Sequence, residues 1–374
     1  MNRKACIDGR KPMRRGLTAV RRILLTAAIT AFVMWGLLYA PTPYLVYEPG
    51  IAVPVEPMIA LESGASADGG QFLLTAVKLI EPNLWGVLKA TVNRDRDVYQ
   101  KSSVFGNYTK EQYAERLTVI MEGSQYDAVE AAYRYLSVPY EVKTEAIVIT
   151  DIIRIAEQPV GRLRAGDKLL RLDGGEAFQS VESAADQVIK ALEGKADGTS
   201  HSVMIEIERG GKQMMIELEP SVSYADSAAQ SDEKRLALLL GAKSFVELRT
   251  VEATHQKQRL SISAGEIGGP SAGLVFTLGA IDLLTEGDLT QGARIAATGT
   301  ISPDGKVGAI GGIKQKVVST SGEGAELFLV PKANERDALS KSKSIKTDMK
   351  IVGVDTLQDA LDAIAAFASN RINV

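Results

Sequence analysis

The 374-residue chain carries two histidines, one cysteine and two tryptophans, and these scarcities close off whole classes of function. His201 and His255 stand apart, and no group of His, Cys and acidic residues has metal-ligand spacing, so neither a metal nor another cofactor is expected. The single cysteine, Cys6, precedes the only long uncharged apolar run, so no disulfide framework supports the rest of the chain, which must be stabilised by packed cores. A formal net charge of −3 leaves no basic footprint for nucleic acid. The pattern G-x-x-x-x-G-K-[ST] occurs nowhere, which excludes that phosphate cradle and with it an ATP partner. A hydrophobic content of 45% with 24% charged residues is that of an ordinary globular chain, long enough for two or three domains.

The apolar run is residues 23–40, ILLTAAITAFVMWGLLYA. At about 1.5 Å per residue it reaches ~27 Å, enough to cross a hydrocarbon layer. Before it lie Arg3, Lys4, Arg10, Lys11, Arg14, Arg15, Arg21 and Arg22, opposed only by Asp8. Residues 1–22 therefore read as a cytoplasmic tail and 23–40 as a transmembrane signal-anchor, with everything after it outside the membrane. A cleavable leader fits less well, because Leu38 stands at position −3 of the best small-residue site and Pro41 would follow the cut. Trp35, Tyr39 and Tyr44 suit the outer interface.

Residues 41–60 hold five prolines and read as an extended connector. Residues 71–79, QFLLTAVKL, read as a strand, and 109–136 as one long helix or two broken near Gly123, with Tyr113, Leu117, Ile120, Met121, Ala128 and Ala131 at helical spacing. From 140 to 220 short strands dominate, with an amphipathic helix at 180–192 and a hairpin signal at Gly210-Gly211. Residues 221–234 are small and polar, a linker. The stretch 235–374 alternates strands and helices, among them helices at 271–285, 313–320 and 356–369.

The residues with the most chemistry lie in Gly268-Gly269-Pro270-Ser271-Ala272-Gly273, which contains G-x-S-x-G. A hydrolase elbow needs a histidine after its serine, and none follows Ser271. A histidine-first triad could draw only on His255 and Glu266. The glycines could also form a tight turn capped by Ser271, with no catalytic role. A lysine can replace histidine as base if burial lowers its pKa from about 10.4 toward ~7–8. Lys314 and Lys316, in GAIGGIKQKVV (308–318), lie among small and apolar residues. Residues two apart on a helix point about 200° apart, so only one of them can face the serine, and the pattern by itself does not choose.

GGPSAG followed by AATGTISPDGKVGAIGGIKQKV resembles the proteolytic domain of Lon-type peptidases. The resemblance covers about 130 residues and implies an α+β fold of the ribosomal protein S5 domain 2-like type and a Ser–Lys dyad. It implies Ser271 as nucleophile, Lys316 rather than Lys314 as base, and Thr298 as a hydrogen-bonding partner within the site. Gly268 stands where many Lon peptidases have an aspartate, so no role for that carboxylate carries over. Residues 161–177, GRLRAGDKLLRLDGGEA, with the helix and hairpin after them, resemble a PDZ domain over 140–220, although no carboxylate-binding loop is recognisable near 138–147. With the anchor in front, the whole resembles the YlbL-like membrane-anchored PDZ and Lon-type serine peptidases of bacteria.

That resemblance implies an endopeptidase acting on protein or peptide substrates near the membrane without ATP. The PDZ-like groove would recruit substrate or gate access, and 70–77 would supply an early strand of the peptidase fold. Backbone N–H groups around Gly269 to Ser271 and the following helix N-terminus are expected around the oxyanion. The alternative is a membrane-tethered scaffold without catalysis. The resemblance leaves a homo-oligomer open.

Overall fold

The computed structural model describes residues 12–64, 69–106, 108–152, 154–155, 158–159, 162–193, 202–218 and 231–372. Residues 1–11 of the basic tail, residues 221–230 of the linker, and His201 lie outside the described residues. The chain divides into two units, Met1–Glu48 with Leu79–Val104, and Pro49–Lys78 with Phe105–Val374.

In the first unit the helix Pro12–Tyr39 holds a segment, Ala19–Tyr39, long and apolar enough to cross a membrane, with none of its residues buried. Such a helix is consistent with a membrane anchor. After it, residues Tyr44–Tyr47 pair antiparallel with Asp97–Gln100, and the Tyr47 and Tyr99 rings lie 5.0 Å apart. The helix Leu84–Val92 begins at Asn83, whose side chain accepts from the Gly86 N–H at 2.7 Å. The prolines of 41–60 do not make a loose connector: Tyr44–Pro54 is a strand with Leu45, Val46 and Ala52 buried. The adjacent Leu45 and Val46 are both buried, so this part of the strand is covered on both faces.

The second unit contains a sheet in which Lys350–Val354, Leu327–Pro331, Arg294–Ala297 and Gln71–Ile80 lie side by side, each neighbouring pair parallel. Gln71–Leu74 pairs with Arg294–Ala297, so this early segment joins strands more than two hundred positions later in the chain. Alternation explains the uninterrupted apolar runs. Phe72, Leu74, Ile295, Leu327 and Leu329 enter one core with Leu274, Phe276 and Leu278 of the helix Gly273–Leu284. Leu73, Ala296, Phe328 and Val330 enter a second core on the opposite face with Ile313 and Val317. Strands buried on both faces need apolar residues at every position.

A second, antiparallel sheet in the same unit runs in the order Lys212–Leu218, Val203–Arg209, Lys168–Leu172, Tyr140–Ile152, Ala242–Ala253. Gly210 and Gly211, at φ +56° and +75°, make its hairpin turn, a conformation open to glycine at both positions. Helices Val181–Glu193 and Asp232–Leu240 share its core through Ala184, Ala185, Val188, Leu236 and Leu239. Pairing between Ala242–Ala253 and Tyr140–Ile152 runs nearly their whole length and binds residues on either side of the 221–234 segment into one sheet.

Residues Lys110–Tyr135 form one continuous helix, capped by a reciprocal Thr109–Gln112 box. Gly123 does not break it. A Cβ there would lie 2.8 Å from Val246 Cγ1, so the small residue lets the strand Ala242–Ala253 approach.

Candidate active site

The serine sits between two elements with opposite demands. Ahead of it, Gly268 packs so closely on the long helix that a Cβ would lie 2.9 Å from Leu117 Cβ. Gly269 follows at φ +92°, and its N–H donates to the Leu117 carbonyl at 3.0 Å. Residues Pro270–Ala272 make one 3-10 turn and lead into the buried helix Gly273–Leu284. Ser124, on the helix Lys110–Tyr135, donates to the Pro270 carbonyl at 3.1 Å. The segment is thus fixed from outside by two positions on one helix, and Ser271 is left only partly covered.

Lys316 comes from the fourth position of the helix Ile313–Gly322. This helix packs Ile313 and Val317 into the second core, and the turn between them brings Lys316 inward to 2% exposure while Lys314 faces solvent. The helix starts after Gly312 at φ +69°, where a Cβ would lie 2.6 Å from Val77 Cγ1. Asn334 holds the preceding loop, accepting from the Ile310 N–H at 2.9 Å and donating to its carbonyl at 3.0 Å.

Three oxygens surround the Lys316 Nζ: Ser271 Oγ at 2.8 Å, Thr298 Oγ1 at 2.9 Å and the Thr75 carbonyl at 2.9 Å. The Thr75 carbonyl can only accept. Thr298 gives its own proton to the Ser271 carbonyl, at 3.1 Å, and so must accept from the amine. A neutral amine has two N–H groups and one lone pair. With both N–H groups committed to Thr298 and Thr75, the lone pair is left for the Ser271 hydroxyl proton. Once protonated, the same amine can donate to all three oxygens, so both states fit without rearrangement.

Burial pushes the Lys316 amine down from 10.5 to about 7. Its place in the first turns of a helix adds a positive dipole end, which also disfavours the cation. Beside Pro270 opens a cavity of about 380 Å³ lined by Ile120, Ser124, Asp127, Arg249 and Ile301 among others. Burial raises the Asp127 carboxyl to about 6 despite its ion pair with the Arg249 guanidinium, which also holds Glu130 at 3.1 Å.

Of the residues singled out from sequence, Ser271, Lys316 and Thr298 meet within hydrogen-bond distance, and Gly268, Gly269 and Pro270 shape the approach to the serine. The expected oxyanion donors are corrected in part. The Gly269 N–H is committed to Leu117 and Pro270 has none, so within 269–271 only the Ser271 N–H is left. Thr75, Leu117 and Ser124 were not foreseen. Two act through backbone carbonyls, which no residue pattern reveals. The Gly123-Ser124 pair in mid-helix was the one visible sign of close packing there.

Residues 236–366 match the family model of the Lon protease (S16) C-terminal proteolytic domain. The match is to the domain of a serine peptidase. A peroxisomal Lon protease homolog 2 of Caenorhabditis briggsae is 35% identical over 117 residues, 31% of this chain and 15% of that protein. The Lon protease of Mesomycoplasma hyopneumoniae is 36% identical over 96 residues, 26% of this chain and 11% of that protein. A peroxisomal homolog 2 of Caenorhabditis elegans is 28% identical over 204 residues, 54% of this chain and 24% of that protein. The chain thus spans less than a quarter of the length of these relatives. The Lon-type domain supplies Ser271, Thr298 and Lys316, whereas Thr75, Leu117 and Ser124 come from residues ahead of the matched region.

Proposed function

We propose that the chain is a membrane-anchored serine endopeptidase of the YlbL-like type, acting outside the cytoplasmic membrane without ATP. The observation that carries the reading is the buried Lys316 amine, held at about 7 and 2.8 Å from the Ser271 hydroxyl. In the reaction neutral Lys316 takes the Ser271 proton as Oγ bonds to the substrate carbonyl carbon. The carbonyl π pair moves to oxygen, where the Ser271 N–H and the N-terminal end of the helix Gly273–Leu284 stabilise the developing charge. Collapse expels the amine leaving group, which takes the proton from Lys316, and leaves an acyl-enzyme. Water, deprotonated by the same lysine, then attacks the acyl carbon, and Ser271 Oγ departs with the proton from Lys316 as the acid is released. Thr298 and the Thr75 carbonyl hold the amine in place throughout, aiming the lone pair when it is neutral and the N–H when it is charged.

The apolar segment Ala19–Tyr39 supports the anchor, and the basic residues before it support an inward N-terminus. We read the antiparallel sheet with the helix Val181–Glu193 as the PDZ-like module. The outermost strands of that sheet are Lys212–Leu218 and Ala242–Ala253, and a recruited peptide would add along one of these edges. Substrates are unfolded or locally flexible polypeptides close to the bilayer.

The test is hydrolysis of casein and of a single-pass membrane peptide by the native chain, Ser271→Ala and Lys316→Ala. Both variants should lose activity by at least roughly a thousandfold while keeping the native circular dichroism. Equal activity in all three would overturn the dyad and favour a non-catalytic scaffold. A dead Lys314→Ala beside an active Lys316→Ala would move the base to the other lysine.

A further inference from the structure

We infer that the helix Leu84–Val92 is a second membrane contact that lies in the lipid interface beside the end of the apolar helix. The inference rests on reading Ala19–Tyr39 as a membrane span. Helical geometry sets residues about 100° apart, which places Leu84, Leu88, Val92 and Trp85 within one arc of about 100°. All four are exposed, at 43%, 54%, 78% and 43% respectively. Ala90, on the far side of the helix, is buried. The outward face is therefore apolar and the inward face small, the reverse of a helix whose apolar stripe serves its own core.

What covers that face is set by its attachment. Asn83, which caps the helix, also donates through Nδ2 to the carbonyl of Leu38 at 2.8 Å, in the last turn of the apolar helix. Thr42 donates through its hydroxyl to the Pro82 carbonyl at 2.7 Å. Two hydrogen bonds thus hold the start of Leu84–Val92 to the point where the apolar helix ends, where Tyr39 is itself exposed. Headgroups meet acyl chains at that depth, and aromatic residues concentrate there. The Lys89 ammonium lies 5.4 Å from the centre of the Trp85 ring at the edge of the apolar arc, so its charge can reach headgroup phosphates while its stem stays with the ring. An apolar face flanked by a lysine and tied to the end of a span fits a bilayer surface.

Trp35 and Trp85 are the only tryptophans, so each can be observed alone. The full chain is reconstituted as Trp35→Phe, which leaves Trp85, and as Trp85→Phe, which leaves Trp35. The vesicles are phosphatidylcholine with phosphatidylglycerol, with bromine placed either near the headgroup end or near the tail end of the acyl chains. Trp85 emission should fall about two-fold or more with the shallow bromines, fall less with the deep ones, and resist aqueous iodide. Replacing Leu84 and Leu88 together by serine should restore much of the Trp85 emission. Trp85 emission unchanged by brominated lipid while Trp35 is quenched would overturn the inference and leave the anchor standing. This holds whether Trp85 then proves open to iodide or shielded by a protein partner. Absence of lipid quenching at Trp35 would instead overturn the anchor reading, and this inference with it.

Discussion

The Lys316 amine is the group at which chemistry and stability pull in opposite directions. Unfolded, it keeps its proton up to about 10.5, whereas burial in the fold lowers that to about 7. Between these values the unfolded chain binds the extra proton, so stability rises with pH across the window. At pH 7 and below the folded chain carries a penalty on the order of 5 kcal/mol. Lys316→Met, which fills similar space without a charge, should therefore be more stable than the native chain at pH 7 and show a flatter dependence up to pH 10, measured by urea unfolding at several pH values. Activity should follow the same group. kcat/KM is expected to climb about tenfold per pH unit below about 7 and level off above it. Asp127, which titrates at about 6 beside the cavity, is the competing source of such a limb, and Asp127→Asn should leave the inflection in place. Thr298 acts through the lysine rather than on substrate. Thr298→Val removes both the acceptor for Nζ and the donor to the Ser271 carbonyl, and should cost roughly a hundredfold in kcat with little change in KM. It should also shift the pH inflection, while Thr298→Ser should restore most of the rate.

At the level of elements, the site depends on where two short helices begin. Gly312 starts the lysine-bearing helix in a left-handed conformation, with Val77 across the gap its missing side chain leaves. Gly312→Ala meets both backbone strain and that contact, and should destabilise the fold by about 1–3 kcal/mol and lower activity beyond what stability explains, as paired urea unfolding and kcat/KM measurements would register. Elements of this kind were readable in the sequence where one periodicity dominates. The apolar run at 71–79, the 109–136 periodicity and the Gly-Gly hairpin each announce their structure, and the residue pair that the missing histidine pointed to does come together. Spacing narrows the base to one of two lysines about 200° apart, the Lon-type resemblance points to Lys316, and the packing of Ile313 and Val317 is what turns that one inward. The rest was hidden for physical reasons. Gly123 looks like a break until the strand that needs its small size is in place, and prolines at 41–60 look like a connector until their neighbours find a core. The Thr75 and Leu117 carbonyls carry no sequence identity at all, since every residue has one.

At the scale of the molecule, the region matched to the Lon-type domain, residues 236–366, holds Ser271, Thr298 and Lys316 but not every group that positions them. Residues 236–372 expressed alone lack the strand Gln71–Ile80, the Thr75 carbonyl and the helix that braces Pro270, and should show no hydrolysis of casein even if helical. A chain begun at residue 41 keeps all three and should stay active in solution, because nothing in the proposed dyad chemistry needs the apolar helix. Comparing these two fragments by casein digestion and circular dichroism separates the roles of the two ends of the chain. The Lys316–Thr75 contact joins positions 241 apart, and that separation also orders events in time. Contacts between distant parts of a chain form late, because the loop between them must first be closed. The strand carrying Thr75 is made early and waits while the intervening antiparallel sheet is synthesised, and only the arrival of residues 294–316 gives it a parallel partner and the amine its second acceptor. A chain caught partway through synthesis therefore holds a serine without the amine beside it, and the pair is assembled only as the last elements dock.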